Sequence, residues 1–374
     1  MKKKLWLMLI FSLLLFVSGC HKEVKVVLPE NKNSDFIVSN KYGNYNSQQK
    51  LLFKFVDDKM VTNKGIYTNY LNIKSTNQNN AVGHEMLSES SGFWLEYLIY
   101  EHKYKQFREF YRITKKTFDQ GSQFSYRYDP SNNKKADVNA TLDDLRIIRA
   151  LQMYYEATGN SKYRYEAAKR FTMLKSNVMV KGRISDFYDI KAKKASTDSS
   201  LAYYDLLTLK YFESDTKQQR KYYNNQVKMV QRGYLGDAFP LYASSYSWHS
   251  GAYSDNNLNT SEALETVLHL SEVGKVKKVT LNWLAQQVKT HKLYNEYSIN
   301  GAVTNKNQSS GSYALAAMIF AKNHDEKMYR YTMKLMWNSQ VTDKNSPIYG
   351  ALGVKKQKQA YSFNNLLGLI SSKY

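Results

Sequence analysis

Over most of its length the chain repeats apolar residues at three- and four-residue spacing, the period that gives a helix one apolar face. Twelve such stretches are legible: Gln49–Lys59, Glu89–Glu101, Lys105–Thr117, Leu142–Thr158, Ser161–Lys175, Ser200–Glu213, Lys217–Gln231, Thr260–Val273, Lys277–Lys289, Gly311–Ala321, Glu326–Asn338 and Phe363–Lys373. A second signal lies between them. After the first, third, fifth, seventh, ninth and eleventh helices comes a glycine and a short extended segment: Gly65-Ile66-Tyr67, Gly121-Ser122-Gln123-Phe124, Gly182-Arg183-Ile184, Gly236-Asp237-Ala238-Phe239, Gly301-Ala302-Val303 and Gly350-Ala351-Leu352. The glycines recur roughly every 50–65 residues, the length of a helix pair with its loops, and such repetition means stacked or circularly arranged units. The pattern predicts an all-α fold of six helical hairpins closed into an (α/α)6 barrel, one helix of each pair inside and its partner outside. An open solenoid is the alternative; the long, uneven loops favour closure, because solenoid repeats are shorter and more uniform. In a closed barrel the loops at one end frame a cleft, and functional residues sit where inner helices begin.

The N-terminus has a different pattern. Lys2, Lys3 and Lys4 precede an apolar run from Leu5 to Val17, then Ser18-Gly19-Cys20. A basic start, a short apolar run and small residues before a cut make residues 1–19 a secretory signal rather than a spanning helix. A cysteine directly after Ser-Gly looks like a bacterial lipobox, in which Cys20 is lipidated and becomes the mature N-terminus. Cys20 is the chain's one cysteine, so there is no disulfide framework, cysteine metal site or cysteine nucleophile. Residues 20–48 are polar and aperiodic and read as a flexible tether. Residues 49–374 read as the barrel domain. The expectation is a monomeric extracytoplasmic protein held to the membrane at Cys20.

Composition narrows the partners. The formal charge is +22, and removing the leader lysines changes it little. Such a balance suits residence beside anionic lipid heads, wall polymers or an acidic polysaccharide. The lysines are scattered and no nucleic-acid-binding signature is present, which argues against nucleic acid. The 32 tyrosines serve equally as core or as flat platforms for sugar rings.

Candidate chemistry gathers at helix starts. In His84-Glu85-Met86-Leu87-Ser88-Glu89-Ser90-Ser91-Gly92-Phe93-Trp94, Glu89 opens a strongly apolar helix beside Phe93, Trp94 and Tyr97. A carboxyl among aromatics is disfavoured as the anion and stays a proton donor near neutral pH. The plain alternative is a first-turn glutamate favoured by the helix dipole. Asp143 and Asp144 open the fourth helix and are favourable there whatever the function. Asp186 and Asp189 lie among aromatics, and the stretch before the eighth helix combines Tyr242, Tyr246, Trp248, His249, Tyr253 and Asp255. Aromatic faces there stack on pyranose rings and a carboxylate can activate water. His84-Glu85 lacks the second histidine of a zinc protease, no phosphate-binding glycine loop or Gly-x-Ser-x-Gly elbow occurs, and the histidines lack ligand spacing. No metal or organic cofactor is required.

The Ser-Glu-x-x-Gly-aromatic start at Ser88-Glu89-Ser90-Ser91-Gly92-Phe93, followed by an Ala-Thr-Asp-x-Asp-like start at Ala140-Thr141-Leu142-Asp143-Asp144, resembles glycoside hydrolase family 8. The hairpin at Gly65-Ile66-Tyr67 adds to the likeness, which spans the chain after the tether. The chain further resembles divergent secreted members linked to exopolysaccharide breakdown and biofilm control in Gram-positive bacteria. The resemblance implies an (α/α)6 barrel and inverting hydrolysis of a β-linked glycan, by two carboxyls about 6.5–9.5 Å apart. It puts the acid on Glu89 and matches Asp144 to the second aspartate of the motif, while Leu142 replaces the first. Either Asp143 takes over that carboxylate or part of the sugar-distorting machinery is lost. The general base is placed on Asp255, with Asp237 and Asp186 as fallbacks.

These readings converge on a lipid-anchored hydrolase of an extracellular polysaccharide, with Glu89 as acid, Asp255 as base and Asp143 or Asp144 orienting the sugar. Trp94, Tyr126, Tyr242 and Trp248 are the expected sugar contacts. A non-catalytic polysaccharide-binding lipoprotein on the same barrel is the alternative, supported by Leu142. A lyase would use Tyr, His or Arg instead of paired acids. A transporter's solute-binding subunit fits poorly, because such proteins alternate strands and helices.

Overall fold

Apolarity sorts the helices into two rings. In the computed structural model, which describes residues 25–30, 32–38, 42–73, 81–180 and 182–374, twelve α-helices follow one another: α1 (Asn46–Lys59), α2 (Ser88–Tyr100), α3 (Tyr104–Phe118), α4 (Thr141–Thr158), α5 (Ser161–Val178), α6 (Leu206–Phe212), α7 (Lys217–Arg232), α8 (Thr260–Glu272), α9 (Lys278–Lys289), α10 (Ser310–Lys322), α11 (Glu326–Trp337) and α12 (Ser362–Ser371). The even-numbered helices are buried almost all round; α10 buries every residue from Gly311 to Ala321. The odd-numbered ones bury a single face, such as Phe107, Phe110, Tyr111, Thr114 and Phe118 of α3. A helix apolar on all sides belongs inside and an amphipathic one covers it. Around the inner ring α2 packs on α4, α4 on a 3-10 turn (Leu201–Tyr203) ahead of α6, that turn and α6 on α8, α8 on α10, α10 on α12, and α12 back on α2.

The third inner element, the sixth helix in chain order, departs from the sequence pattern. One helix is expected over 200–213, but the chain breaks between the 3-10 turn and α6. The Asp205 carboxylate caps α6 by accepting from the Thr208 N–H at 3.1 Å, which competes locally with a continuous helix.

The six repeated glycines all have positive φ, between 81° and 147°. Each sits in a tight antiparallel excursion after an outer helix, closed by pairings such as Val61 with Ile66, Asp119 with Phe124 and Gln340 with Leu352. At Gly350 the need is also steric, since a Cβ would stand 2.7 Å from the Leu51 carbonyl oxygen. Longer antiparallel hairpins then lead to the inner helices. The strand Met86–Leu87 pairs with Arg127–Asp129, and Asp198–Ser200 with Ser245–Ser247. These short sheets stitch neighbouring repeats together at the end where the inner helices begin.

Residues 25–30 and 32–38, read from sequence as part of the tether, lie against the other end. Phe36 is buried, with its ring 5.5 Å from that of Tyr211, and the Ser34 hydroxyl donates to Glu156 at 2.7 Å. Val26 and Val38 pack partly against the core on either side of Phe36, and together these apolar residues seat the segment. The leader and Cys20 lie outside the described residues. No helix among the described residues is long and apolar enough to cross a membrane.

Candidate active site

The first turns of α2, α4 and α8 converge on a cleft of about 340 Å³, lined among others by Glu89, Asp143, Arg146, Tyr203, Glu262 and Glu265. Its shape begins with small residues. Ser88, Ser90, Ser91 and Gly92 are all buried and let α2 approach α4 closely. At Gly92 an added Cβ would lie 2.8 Å from the Cβ of Arg146, so any side chain there displaces the arginine. The strand before α2 fixes the direction of approach: the Ser88 N–H donates to the Tyr126 carbonyl at 3.0 Å.

Arg146 organises the floor. Its guanidinium lies over the Phe93 ring, 4.3 Å from the centroid, and its Nη2 donates to Glu265. Nη1 stands 3.4 Å from Asp143 Oδ1 and 3.6 Å from Glu89 Oε1. Sharing one nitrogen keeps those two carboxylate oxygens no more than roughly 7 Å apart, within reach of a single sugar ring and a water. The Ser88 hydroxyl donates to Asp143 Oδ2 at 2.8 Å.

Crowding of acids in a poorly hydrated floor favours their neutral forms. Burial pushes Glu89 up to about 8, helped by the charges of Asp143, Glu265 and Glu262 and opposed by Arg146. Burial likewise raises Glu265 to about 7, against the pull of Arg146. Asp143 is raised by burial and held back by Arg146 and its hydrogen bonds. Glu262 exposes part of its side chain, yet the cleft wall desolvates its carboxyl enough to raise it, with a hydrogen bond from Ser200 opposing. Burial raises Tyr203 well above its ordinary value. The floor therefore offers a protonated carboxyl, further carboxylates and one fixed cation. No group of three or more His, Cys, Asp or Glu able to hold a metal ion occurs among the described residues.

The other sequence candidates are dispersed. Asp144 is buried behind the floor, where it accepts from the Phe124 N–H at 3.0 Å and the Asn139 amide at 2.7 Å; burial raises it to about 7. Asp186 borders the start of α4, accepts from the Ser200 N–H at 2.5 Å, and is raised by burial to about 6. Asp255 is exposed on the loop after Ala252–Tyr253, outside the residues lining the cleft. Asp237 is exposed and accepts from the Tyr234 hydroxyl at 2.7 Å. Trp94 and Tyr242 are core residues; Trp94 stacks on Phe53 at 5.4 Å. Trp248 is half-buried, its Nε1 donating to Ser199 Oγ at 2.9 Å beneath the Arg183 guanidinium. Tyr126 lines a neighbouring groove with Glu85, Arg127 and the stacked pair Tyr67 and His84, whose centroids are 3.8 Å apart.

Sequence reasoning passed over Arg146, Tyr203, Glu262 and Glu265. A signal existed for the two glutamates: they open α8 three residues apart, as Glu89 opens α2.

No family model matches the chain. It is 28% identical over 298 residues to the "Putative lipoprotein YdaJ" of Bacillus subtilis (strain 168), covering 77% of this chain and 78% of that protein. Its fold is similar to that of a structure described as a novel alpha-amylase from Clostridium perfringens, with a TM-score of 0.80, 23% identity, and coverage of 90% and 99% of the two chains. It is also similar to the endoglucanase Cel10 of Klebsiella pneumoniae, a family 8 glycosyl hydrolase, with a TM-score of 0.60, 13% identity, and coverage of 86% and 97%. The solved structures that share this fold thus include family 8 glycoside hydrolases.

Proposed function

We propose that the chain is an extracytoplasmic glycoside hydrolase, lipid-anchored at Cys20, that cleaves an extracellular polysaccharide by inversion. The single observation that carries this reading is a carboxyl raised to about 8 on the floor of an open cleft, with further carboxylates around the same arginine. The fold shared with hydrolases and the relation to a protein named as a lipoprotein support it.

Glu89 is the general acid. Protonated at neutral pH, it gives its proton to the glycosidic oxygen as the bond to the anomeric carbon breaks. Glu262, on α8 across the inner ring from α2, is the base: its carboxylate takes a proton from water as the water oxygen attacks the anomeric carbon from the opposite face. The products are an alcohol and a hemiacetal of inverted configuration. This assignment replaces Asp255, which stands in solvent away from the cleft. Arg146 is a positioning residue; its charge keeps Glu89 from rising further and holds Asp143 and Glu265 in place. Asp143 orients the sugar beside the scissile bond, Tyr126 and Trp248 contact more distant rings, and Leu142 closes the wall.

The linkage has two readings. The Ser-Glu and Ala-Thr start motifs favour a β-linked exopolysaccharide, whereas the likeness to a structure described as an alpha-amylase favours an α-glucan. New reducing ends are to be counted after incubating the protein with exopolysaccharide from its producing bacterium, with cellulose, chitosan and xylan derivatives, and with starch. Release from any of these, lost in Glu89→Gln, supports a hydrolase and identifies its linkage. Binding without release by the parent would make the chain a polysaccharide-binding lipoprotein.

A further inference from the structure

We propose that the end of the barrel formed by the C-termini of the inner helices docks on the anionic surface of the membrane, so that the cleft opens away from it. The inference rests on the lipid anchor at Cys20. Two observations carry it, the path of the chain and the charge of that end.

Residues 29–30 and 32–36 run across the closed end. Arg164 donates to the Pro29 carbonyl at 2.7 Å, Lys32 pairs with Asp215 at 2.6 Å, and the Ser34 hydroxyl reaches Glu156. The Tyr100 hydroxyl, at the last residue of α2, donates to the Phe36 carbonyl at 3.3 Å. Glu156 and Tyr211 stand at the C-terminal ends of α4 and α6, whereas Glu89, Asp143 and Glu262 occupy first turns at the opposite end. Four residues lie between Cys20 and Lys25, and the five steps that join them span at most about 18 Å. A lipid at Cys20 therefore holds the closed end near the bilayer while the cleft lies on the far side of the barrel.

The same end carries a ring of cations. Five loops join an inner helix to the next outer helix there, and each has an exposed lysine on or beside it: Lys105, Lys162, Lys217, Lys275 and Lys327. Among the acids nearby, Asp215 pairs with Lys32, Glu326 pairs with Arg330, and Glu156 accepts from Ser34 and Gln152, while Glu30 and Asp35 are exposed on the crossing segment itself. Juxtamembrane lysines are drawn to acidic headgroups over about a Debye length. Exposed lysines also stand on the rim hairpins at the cleft end, such as Lys134 and Lys193. It is the path of residues 29–30 and 32–36 that selects which basic end meets the lipid.

The single cysteine makes the test direct, because lipidation consumes its thiol. Ser161→Cys at the closed end and Ser250→Cys at a rim hairpin tip each add one exposed thiol. The full lipidated chain bearing either change is added to preformed vesicles of phosphatidylglycerol and phosphatidylcholine and treated with a membrane-impermeant maleimide. The expected result is labelling several-fold slower at 161 than at 250, with equal rates in detergent. Protection at 161 should weaken on phosphatidylcholine alone and in Lys162→Glu/Lys217→Glu/Lys275→Glu, with vesicle association intact. Equal rates on acidic vesicles, or protection at 250, would overturn the docking. A chain that stays in solution would overturn the anchor itself, and the docking with it. Neither result bears on whether Glu89 is a general acid, which reducing-end release tests separately.

Discussion

Glu89, Arg146 and Glu265 at the mouth of the barrel are matched deeper along the same helices by Glu96, Arg149 and Glu272. The glutamates recur two turns on and the arginine about one turn on. Arg149 pairs with Glu272 at 2.9 Å and Asp205 at 3.5 Å, as Arg146 pairs with Glu265 and Asp143. Each arginine lies over a phenylalanine, Phe93 above and Phe36 below. Burial raises Glu89 to about 8 and Glu96 to about 7, and in both the nearby arginine opposes the shift. What separates the layers is access. Glu89 keeps 23% of its side chain exposed in an open cleft, whereas Glu96 is buried among Arg149, Tyr100 and Tyr374 beneath the segment that carries Phe36. A displaced carboxyl pKa thus marks a buried charge cluster, and only solvent access turns such a cluster into a site for chemistry.

Separating the layers by mutation should break that likeness, starting with the largest effect. Arg149→Met leaves Glu272 and Asp205 buried without their cation and should cost about 3–5 kcal/mol in denaturant unfolding. Below the melting point, hydrolysis by the remaining folded protein should stay near the parental rate. Phe36→Ala removes the cover of the lower layer and should cost about 3 kcal/mol, read by thermal melting. Gly92→Ala pushes Arg146 off its seat and should cost about 1–3 kcal/mol through overpacking. Unlike the first two changes, it should also lower kcat, because the displaced group belongs to the cleft. Asp255→Asn should leave reducing-end release within about twofold of the parent, since exposed substitutions away from a site change little.

The two layers should act together on stability against pH. Glu89, Glu96, Asp144 and Glu265 keep their protons to higher pH folded than unfolded, because burial raises all four. The folded state then binds more protons between the ordinary carboxyl range and about pH 8, so the unfolding free energy falls as pH rises through that window. Melting temperature should decline from about pH 5 to about pH 8, and Glu96→Gln should flatten the decline.

The barrel was legible because its signals are local. Each repeat carries its own glycine, whose positive φ is a backbone requirement written into the sequence, and the apolarity of α2 and α10 marks them as inner helices. Glu89 was legible because its small and aromatic neighbours follow it directly. Glu262, Glu265 and Arg146 were harder, since first-turn acids are favourable on any helix and only the ring of packed helices brings α2, α4 and α8 together. Trp94 and Tyr242 show the limit of residue type: an aromatic fits a core or a sugar platform equally, and burial decides. Asp255 lies close to α8 in sequence, yet its loop turns outward while Glu262 faces the cleft.

The most direct test of the account sets Glu89→Gln beside Glu96→Gln, measuring reducing-end release and thermal melting on the same samples. Glu89→Gln should lose about 10²–10⁴-fold in kcat, the usual share of a general acid, with a melting temperature near the parent's. Glu96→Gln should keep its rate while its melting temperature shifts. An active Glu89→Gln protein, or an inactive but fully folded Glu96→Gln protein, would contradict the assignment of the chemistry to the upper layer.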